Sequence, residues 1–174
     1  MTEEQQLCLT CGMCCDGVIF ADVRLQADDD AGRLRELGLP LCGTRKRLES
    51  GGLKFAQPCA ALEGYACRIY PERPAHCRNF ECLLLKAVKS GRFRREAAVR
   101  MIRDAQMRAE KVRVLLRALG NKDEEIALSM RFRRTKAAIE RAELNEHTAA
   151  VYGELTLAVH DLNCLLSDAF YPGR

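Results

Sequence analysis

Apolar positions follow two different rhythms in the two halves of the chain. In the C-terminal half Ala98, Ile102, Ala105, Ala109, Val112, Leu116 and Leu119 alternate steps of four and three. That spacing places them on one face of a helix predicted over about 94–119. Gly120 is positioned to cap its end and Asp123 to start the next helix, in which Leu128, Phe132, Ile139 and Ala142 share a face. A last helix is predicted over 146–170, with Leu155, Val159, Leu162, Leu166 and Phe170 on one side and Pro172 ending it. Three or four antiparallel helices joined by short loops is the economical packing.

The N-terminal half shows only short alternations. Residues 17–25 read as a strand, rich in β-branched and aromatic side chains. Asp28, Asp29 and Asp30 open a short helix that Gly38 and Pro40 stop. Another strand is expected at 53–56, and a third over Cys67–Tyr70, ended by Pro71. Pro74 suits the first turn of a helix carrying both Cys77 and Cys82. This half has few large apolar side chains, and a poorly cored region needs cross-links or metal to hold it. The predicted class is α+β: a small irregular cysteine-rich metal-binding lobe over 1–82, then a three- to four-helix bundle over 83–174.

Composition sharpens this picture in one respect. The 174 residues are 48% apolar and 30% charged, ordinary for a globular protein and incompatible with wholesale disorder. No apolar run reaches the length of a bilayer span. The acidic, polar start lacks the features of a secretion signal, so a cytoplasmic protein without a membrane partner is expected. The unusual number is 10 cysteines. In a reducing compartment that density signals metal or redox chemistry rather than a disulfide framework.

Four cysteines fall in one octapeptide, at Cys8, Cys11, Cys14 and Cys15. Four more follow at Cys59, Cys67, Cys77 and Cys82. Cys42 lies between the groups and Cys164 far downstream. Cys-x2-Cys-x2-Cys puts three thiolates on one tight loop, with Gly12 letting the backbone turn. Such a loop can grip a soft metal ion or an iron–sulfur cluster from one side. The same spacing opens the bacterial ferredoxin run, but here the fourth cysteine follows at once. Adjacent Cys14 and Cys15 point in different directions, so one of them can serve a second site. A lone cysteine is best explained as a small buried hydrophobe; four within eight residues are not.

The spacings of the second group match no common zinc finger, but its surroundings are distinctive: Pro58-Cys59, then Cys67-Arg68-Ile69-Tyr70, Arg73-Pro74, and Cys77-Arg78-Asn79-Phe80-Glu81-Cys82. With the CxxCxxCC octapeptide, this text resembles the YkgJ-type cysteine-cluster proteins, described as zinc- or iron-chelating. The resemblance covers residues 8–82, about half the chain. It implies metal or iron–sulfur binding by Cys8, Cys11, Cys14, Cys15, Cys59, Cys67, Cys77 and Cys82. The family also includes flagellin lysine methylases, which use S-adenosylmethionine, so a methyl-transfer or oxidoreductase enzyme is one implied alternative.

Eight thiolates suit either two closed zinc sites or one 4Fe–4S cluster with support from the remainder. The compact triad favours the cluster, with zinc the alternative. Arg68, Arg73 and Arg78 lie near the cysteines in sequence and would offset the charge of a thiolate centre. His76 is a further possible ligand, although eight cysteines already suffice. Cys42 is expected to be a buried thiol in a turn. On the last helix His160 and Cys164 are four apart, opposite the apolar stripe, with Asp161 beside them. A metal is possible there, but two ligand types on one helix are weak grounds.

Charge is uneven. Residues 91–141 are net +8 and residues 142–174 net −4. Arg92, Arg94, Arg95, Arg131, Arg133, Arg134 and Lys136 could meet nucleic-acid phosphates or an anionic protein partner. A solvated helical face is the commoner explanation. No Gly-rich nucleotide loop, Walker sequence, Cx3Cx2C triad or Ser/His/Asp set is present. The function expected is therefore binding of an iron–sulfur cluster or zinc, with a possible redox role. A zinc-stabilised interaction module is the remaining alternative.

Overall fold

The computed structural model describes residues 3–43 and 52–171. The chain divides into two compact units, one of residues 8–80 with 125–127, the other of 1–7, 81–124 and 128–174.

The first unit holds most of the cysteines. Helix α1 (Glu3–Cys11) runs into it and carries Cys8 and Cys11 on its last turns. The sequence reading places a loop here, because Glu-Glu-Gln-Gln-Leu-Cys-Leu-Thr-Cys has no amphipathic stripe to mark a helix. Gly12 ends α1: it adopts φ +65, and its N–H donates to the Cys8 carbonyl at 3.2 Å. The N–H groups of Cys15 and Asp16 then turn back onto the Gly12 carbonyl, at 2.8 and 3.0 Å.

The strand expected over 17–25 is shorter, β1 (Asp22–Arg24). Asp16 explains the loss: its carboxylate accepts the Val18 N–H at 3.0 Å, and Gly17 takes φ +81, so this stretch is a turn. β1 pairs antiparallel with β2 (Lys54–Ala56), Val23 opposite Phe55. Between them lies α2 (Ala31–Glu36), capped as expected by Asp30, whose side chain accepts the Arg33 N–H at 2.8 Å. β3 (Leu62–Glu63) and β4 (Ala66–Cys67) form a second small antiparallel pair. The strand predicted to reach Tyr70 stops at Cys67. Tyr70–Glu72 is a 3-10 turn instead, because Pro71 has the fixed φ of a helical start. α3 (Ala75–Asn79) follows Pro74 and carries Cys77, but not Cys82.

This unit is better cored than its composition suggests. Val23, Leu25, Leu34, Leu39, Phe55, Ala61 and Ile69 are buried together, with Cys59, Cys67 and Cys77 packed against them. Burying each large aliphatic or aromatic side chain contributes about 1.5–3 kcal/mol.

The second unit is a helical bundle, of α4 (Leu83–Lys89), α5 (Arg95–Ala118), α6 (Leu128–Ile139) and α7 (Glu146–Ala169). α5 buries the expected face, Ala98 through Leu116, and Gly120 at φ +83 follows its end. α7 starts at Asn145, whose side chain accepts the Thr148 N–H at 2.8 Å. It buries Leu155, Ala158, Leu162, Leu166 and Ala169. Pro172, expected to end it, lies outside the described residues. α5 and α7 pack antiparallel: Lys111 pairs with Glu154 at 3.1 Å, while the earlier Arg108 reaches the later Asp161 carbonyl, also at 3.1 Å.

α6 departs from expectation. It starts at Leu128, and Asp123 lies outside it, paired with Arg134 at 3.3 Å. Its buried side chains are Leu128, Arg131 and Thr135, not Phe132 and Ile139, and Ala142 lies beyond its end, exposed. Arg131 is 2% exposed, so it is not part of a basic surface. No helix among the described residues is long and apolar enough to cross a membrane.

Candidate metal centre

All ten cysteines are thiols. Four of them gather in the first unit although they come from four separate elements. Cys15 lies in the turn after α1, and its carbonyl accepts the Cys59 N–H at 2.7 Å. Cys67 ends β4, opposite Leu62. Cys77 sits on α3, a short helix whose N-cap residue, Pro74, has no side-chain donor or acceptor. Asp29 supplies the missing cap from the α2 approach. Its carboxylate accepts the Ala75 N–H at 2.7 Å and the Gln26 N–H at 2.8 Å.

Each member of this tetrad lies within electrostatic reach of the other three. Burial pushes the Cys15 thiol far above the ordinary thiol range, and Cys59, Cys67 and Cys77 raise it further. Burial likewise pushes Cys77 up to about 12, with Cys59 and Cys67 adding to it. Cys59 is raised by burial and by Cys67, and Cys67 is raised by burial. Opposing influences act on these last two. The Ala61 N–H points at the Cys59 sulfur at 3.4 Å, and the Ile69 N–H favours the Cys67 thiolate. Arg68 favours the thiolates of Cys59 and Cys67, and Arg73 those of Cys67 and Cys77.

The donor set fits a soft metal. It has four sulfurs, backbone N–H groups aimed at two of them, and two guanidinium groups to offset charge. Among the described residues no three His, Cys, Asp or Glu side chains are already drawn together as a cage for one ion. The two observations agree once scale is considered. Electrostatic influence extends well beyond a metal–sulfur bond of about 2.3 Å, so the four thiols act on one another without forming a closed ligand set. Arg73 is itself held over the Tyr70 ring, 3.5 Å from its centre, with Nε on the Tyr70 carbonyl at 2.8 Å. Arg68 bonds the Leu37 carbonyl at 3.0 Å, and Arg78 donates to the Arg73 carbonyl.

The other predicted ligands stand as follows. Cys8, Cys11 and Cys14 lie on α1 and its following turn, half-buried in the first unit. Cys82 belongs to the second unit, where its sulfur accepts the Leu85 N–H at 3.4 Å and caps α4. His76 packs in an aromatic group, its ring edge-on to Phe20 at 5.1 Å and stacked on Phe80 at 6.5 Å. Its buried Nε2 has no hydrogen-bond partner among the described residues. Cys42 is exposed rather than buried: its backbone bridges Lys54, which leaves the thiol in solvent. His160 and Cys164 do meet, Nε2 to Sγ at 3.6 Å, on the exposed face of α7.

The basic segment is largely paired within its own unit. Arg95 donates to Gln6 at 3.1 Å, Arg92 to the Ser90 hydroxyl at 3.0 Å, Arg133 to the Met130 sulfur at 3.8 Å, and Lys136 pairs with Glu140 at 3.7 Å. Arg94 stands at the N-cap of α5.

One family model matches, over residues 7–99: CxxCxxCC, described as "Putative zinc- or iron-chelating domain". No curated protein and no solved structure matches the chain.

Proposed function

Because the chain belongs to the CxxCxxCC family of zinc- or iron-chelating domains, we propose that it holds an iron–sulfur cluster, of the 4Fe–4S type, with Cys15, Cys59, Cys67 and Cys77 as ligands. The observation that carries this reading is geometric: Cys59, Cys67 and Cys77 pack against one buried core, and the Cys59 N–H bonds the Cys15 carbonyl at 2.7 Å. A 4Fe–4S cluster takes four cysteine thiolates. The Cys8-x2-Cys11-x2-Cys14 run supplies further thiols in the same unit, for support of the centre or for a second metal.

Bound there, such a cluster supplies one-electron transfer, which makes a redox role the accompanying proposal. The chain's own residues do the rest. The core behind Cys59, Cys67 and Cys77 covers them in part, and the Ala61 and Ile69 N–H groups favour negative sulfur. Arg68 and Arg73 balance the charge. Hydrogen bonds to sulfur and burial are the levers that set a cluster's potential.

The test is metal and acid-labile sulfide content, with a visible spectrum, on protein purified without oxygen. Brown protein with about four iron and four sulfide per chain is expected. Colourless protein holding zinc and no sulfide overturns the cluster and leaves a structural thiolate site.

A further inference from the structure

Gln57 is 2% exposed, and its buried Oε1 has no hydrogen-bond partner among the described residues. A buried amide in that state is costly, and native structures retain few of them. The strand register shows which way it faces. In the β1–β2 ladder the Leu25 N–H donates to the Leu53 carbonyl at 2.8 Å, Val23 lies opposite Phe55, and the Gln57 N–H donates to the Ala21 carbonyl at 3.1 Å. Side chains alternate along a strand, so Leu53, Phe55 and Gln57 form a row on one face. Burial follows the row: Phe55 and Gln57 are buried, while Ala56 between them is exposed. That face is the core of the first unit, in which Phe55 is buried and against which Leu53, Cys59, Cys67 and Cys77 pack. The next residues tie Gln57 to the remaining thiol segment as well. The Cys59 N–H bonds the Cys15 carbonyl at 2.7 Å, and Pro58 lies against Gly17, where an added Cβ would come 3.5 Å from the Pro58 Cδ.

We propose that Gln57 is a positioning residue of the thiolate centre, its side-chain amide donating Nε2–H to a ligand sulfur once metal is bound. The inference rests on the centre proposed above, but on no particular metal. A side-chain amide carries two donors and an acceptor on one planar group, and a half-turn about its last bond exchanges them. A neutral thiol is a weak acceptor. Metal binding turns the thiols into thiolates, and an ionised acceptor takes a stronger hydrogen bond. The amide that is a cost in the metal-free protein thereby becomes a support of the loaded one. It joins the Ala61 N–H, which already points at the Cys59 sulfur.

The experiment compares wild type with Gln57→Met, a replacement of the same length without the amide, and with Gln57→Leu, each as the full chain purified without oxygen. Two quantities are measured: the half-time of metal release to a chelator from loaded protein, and the urea midpoint of metal-free protein. Both variants are expected to release metal about tenfold faster, the worth of one hydrogen bond to a charged group. Both should match or exceed the wild-type midpoint, because an unpartnered polar group has been removed from the core. In an iron–sulfur-loaded chain the reduction potential should also fall, since a donor to sulfur favours the reduced cluster. Unchanged metal release in both variants overturns the proposal. So does a lower metal-free midpoint or a failure to fold in both, because the amide would then support the fold alone. Zinc in place of iron and sulfide overturns the cluster proposed above, while the same release assay still decides the role of Gln57. A chain that loads no metal overturns both.

Discussion

The Cys59 N–H donates to the Cys15 carbonyl at 2.7 Å. The last cysteine of the first group is thereby fastened to the first cysteine of the second through the backbone, independently of any metal. In the proposed centre both groups contribute, with one ligand from the octapeptide and three from the later stretch. Cys15→Ser and Cys77→Ser should therefore each lower bound metal by the same amount. The double variant should lower it no further, since members of one site are not additive. Cys42→Ser should leave metal content intact. Metal per chain, measured on the purified variants, decides it. Additive losses from Cys15 and Cys77 would mean separate sites.

The buried thiols also make a statement about pH. The fold raises Cys77 from 9.0 to about 12 and Cys15 further, mainly by burial. A raised thiol pKa means the fold favours the neutral form. That stabilisation is fully present below the unfolded value and disappears as pH climbs through the folded one. Metal-free, reduced protein should thus lose stability between pH 9 and about 12. Urea unfolding across that range is the measurement, and Cys77→Ala should flatten the decline. Metal affinity should move the other way and rise with pH, because binding displaces the thiol protons.

The long helices could be read from the chain because their signals are local. The four-and-three rhythm from Ala98 to Leu116 needs only a helix with one dry face, and Asp30 needs only an N-terminus to cap. The cysteine spacing likewise marked the chemistry. How the cysteine-bearing segments are placed was not legible, since it depends on distant contacts such as Asp29 to the Ala75 N–H. α1 escaped notice because its nine residues carry no apolar stripe. Arg131 was read as surface because its partner, Asn121, lies outside its own helix. Cys42 was read as buried because backbone pairing at a strand edge does not reveal which way the thiol faces.

Gly12 tests how tightly the first cysteine turn is built. Its φ is +65, and a Cβ there would sit 3.0 Å from the Tyr65 Cα and carbonyl oxygen. Both obstacles are backbone, so neither can swing away. Gly120 has φ +83 but open space around it. Gly120→Ala should cost about 1 kcal/mol, the left-handed penalty alone. Gly12→Ala should cost about 2 kcal/mol or more, since steric strain is added to that penalty. It should also lower metal retention, whereas Gly120→Ala should not. Urea unfolding and metal content on the two variants separate the conformational from the steric contribution.

Arg131 and Asn121 form the most consequential polar contact of the helical unit. The Arg131 Nη2 donates to the Asn121 carbonyl at 2.8 Å and its Nε to Asn121 Oδ1 at 3.2 Å. Asn121 Nδ2 in turn donates to Thr135 Oγ1 at 3.0 Å and to the Arg131 carbonyl at 3.3 Å. Burial lowers the Arg131 pKa, so the charged form is held against its preference for water. Asn121→Ala keeps the carbonyl that Nη2 meets and the Glu124 carboxylate 4.0 Å from Nη1, but leaves the buried Nε without its Oδ1 acceptor and removes the bonds to Thr135 and the Arg131 carbonyl, and should cost about 1–3 kcal/mol. Arg131→Met removes the charge together with its need for partners and should change stability by less than about 1.5 kcal/mol. The double variant should then recover the part of the Asn121→Ala loss that comes from the unpartnered Nε. If it stays as unstable as the single variant, the damage lies in the Asn121 bonds to Thr135 and the α6 backbone, not in the stranded charge.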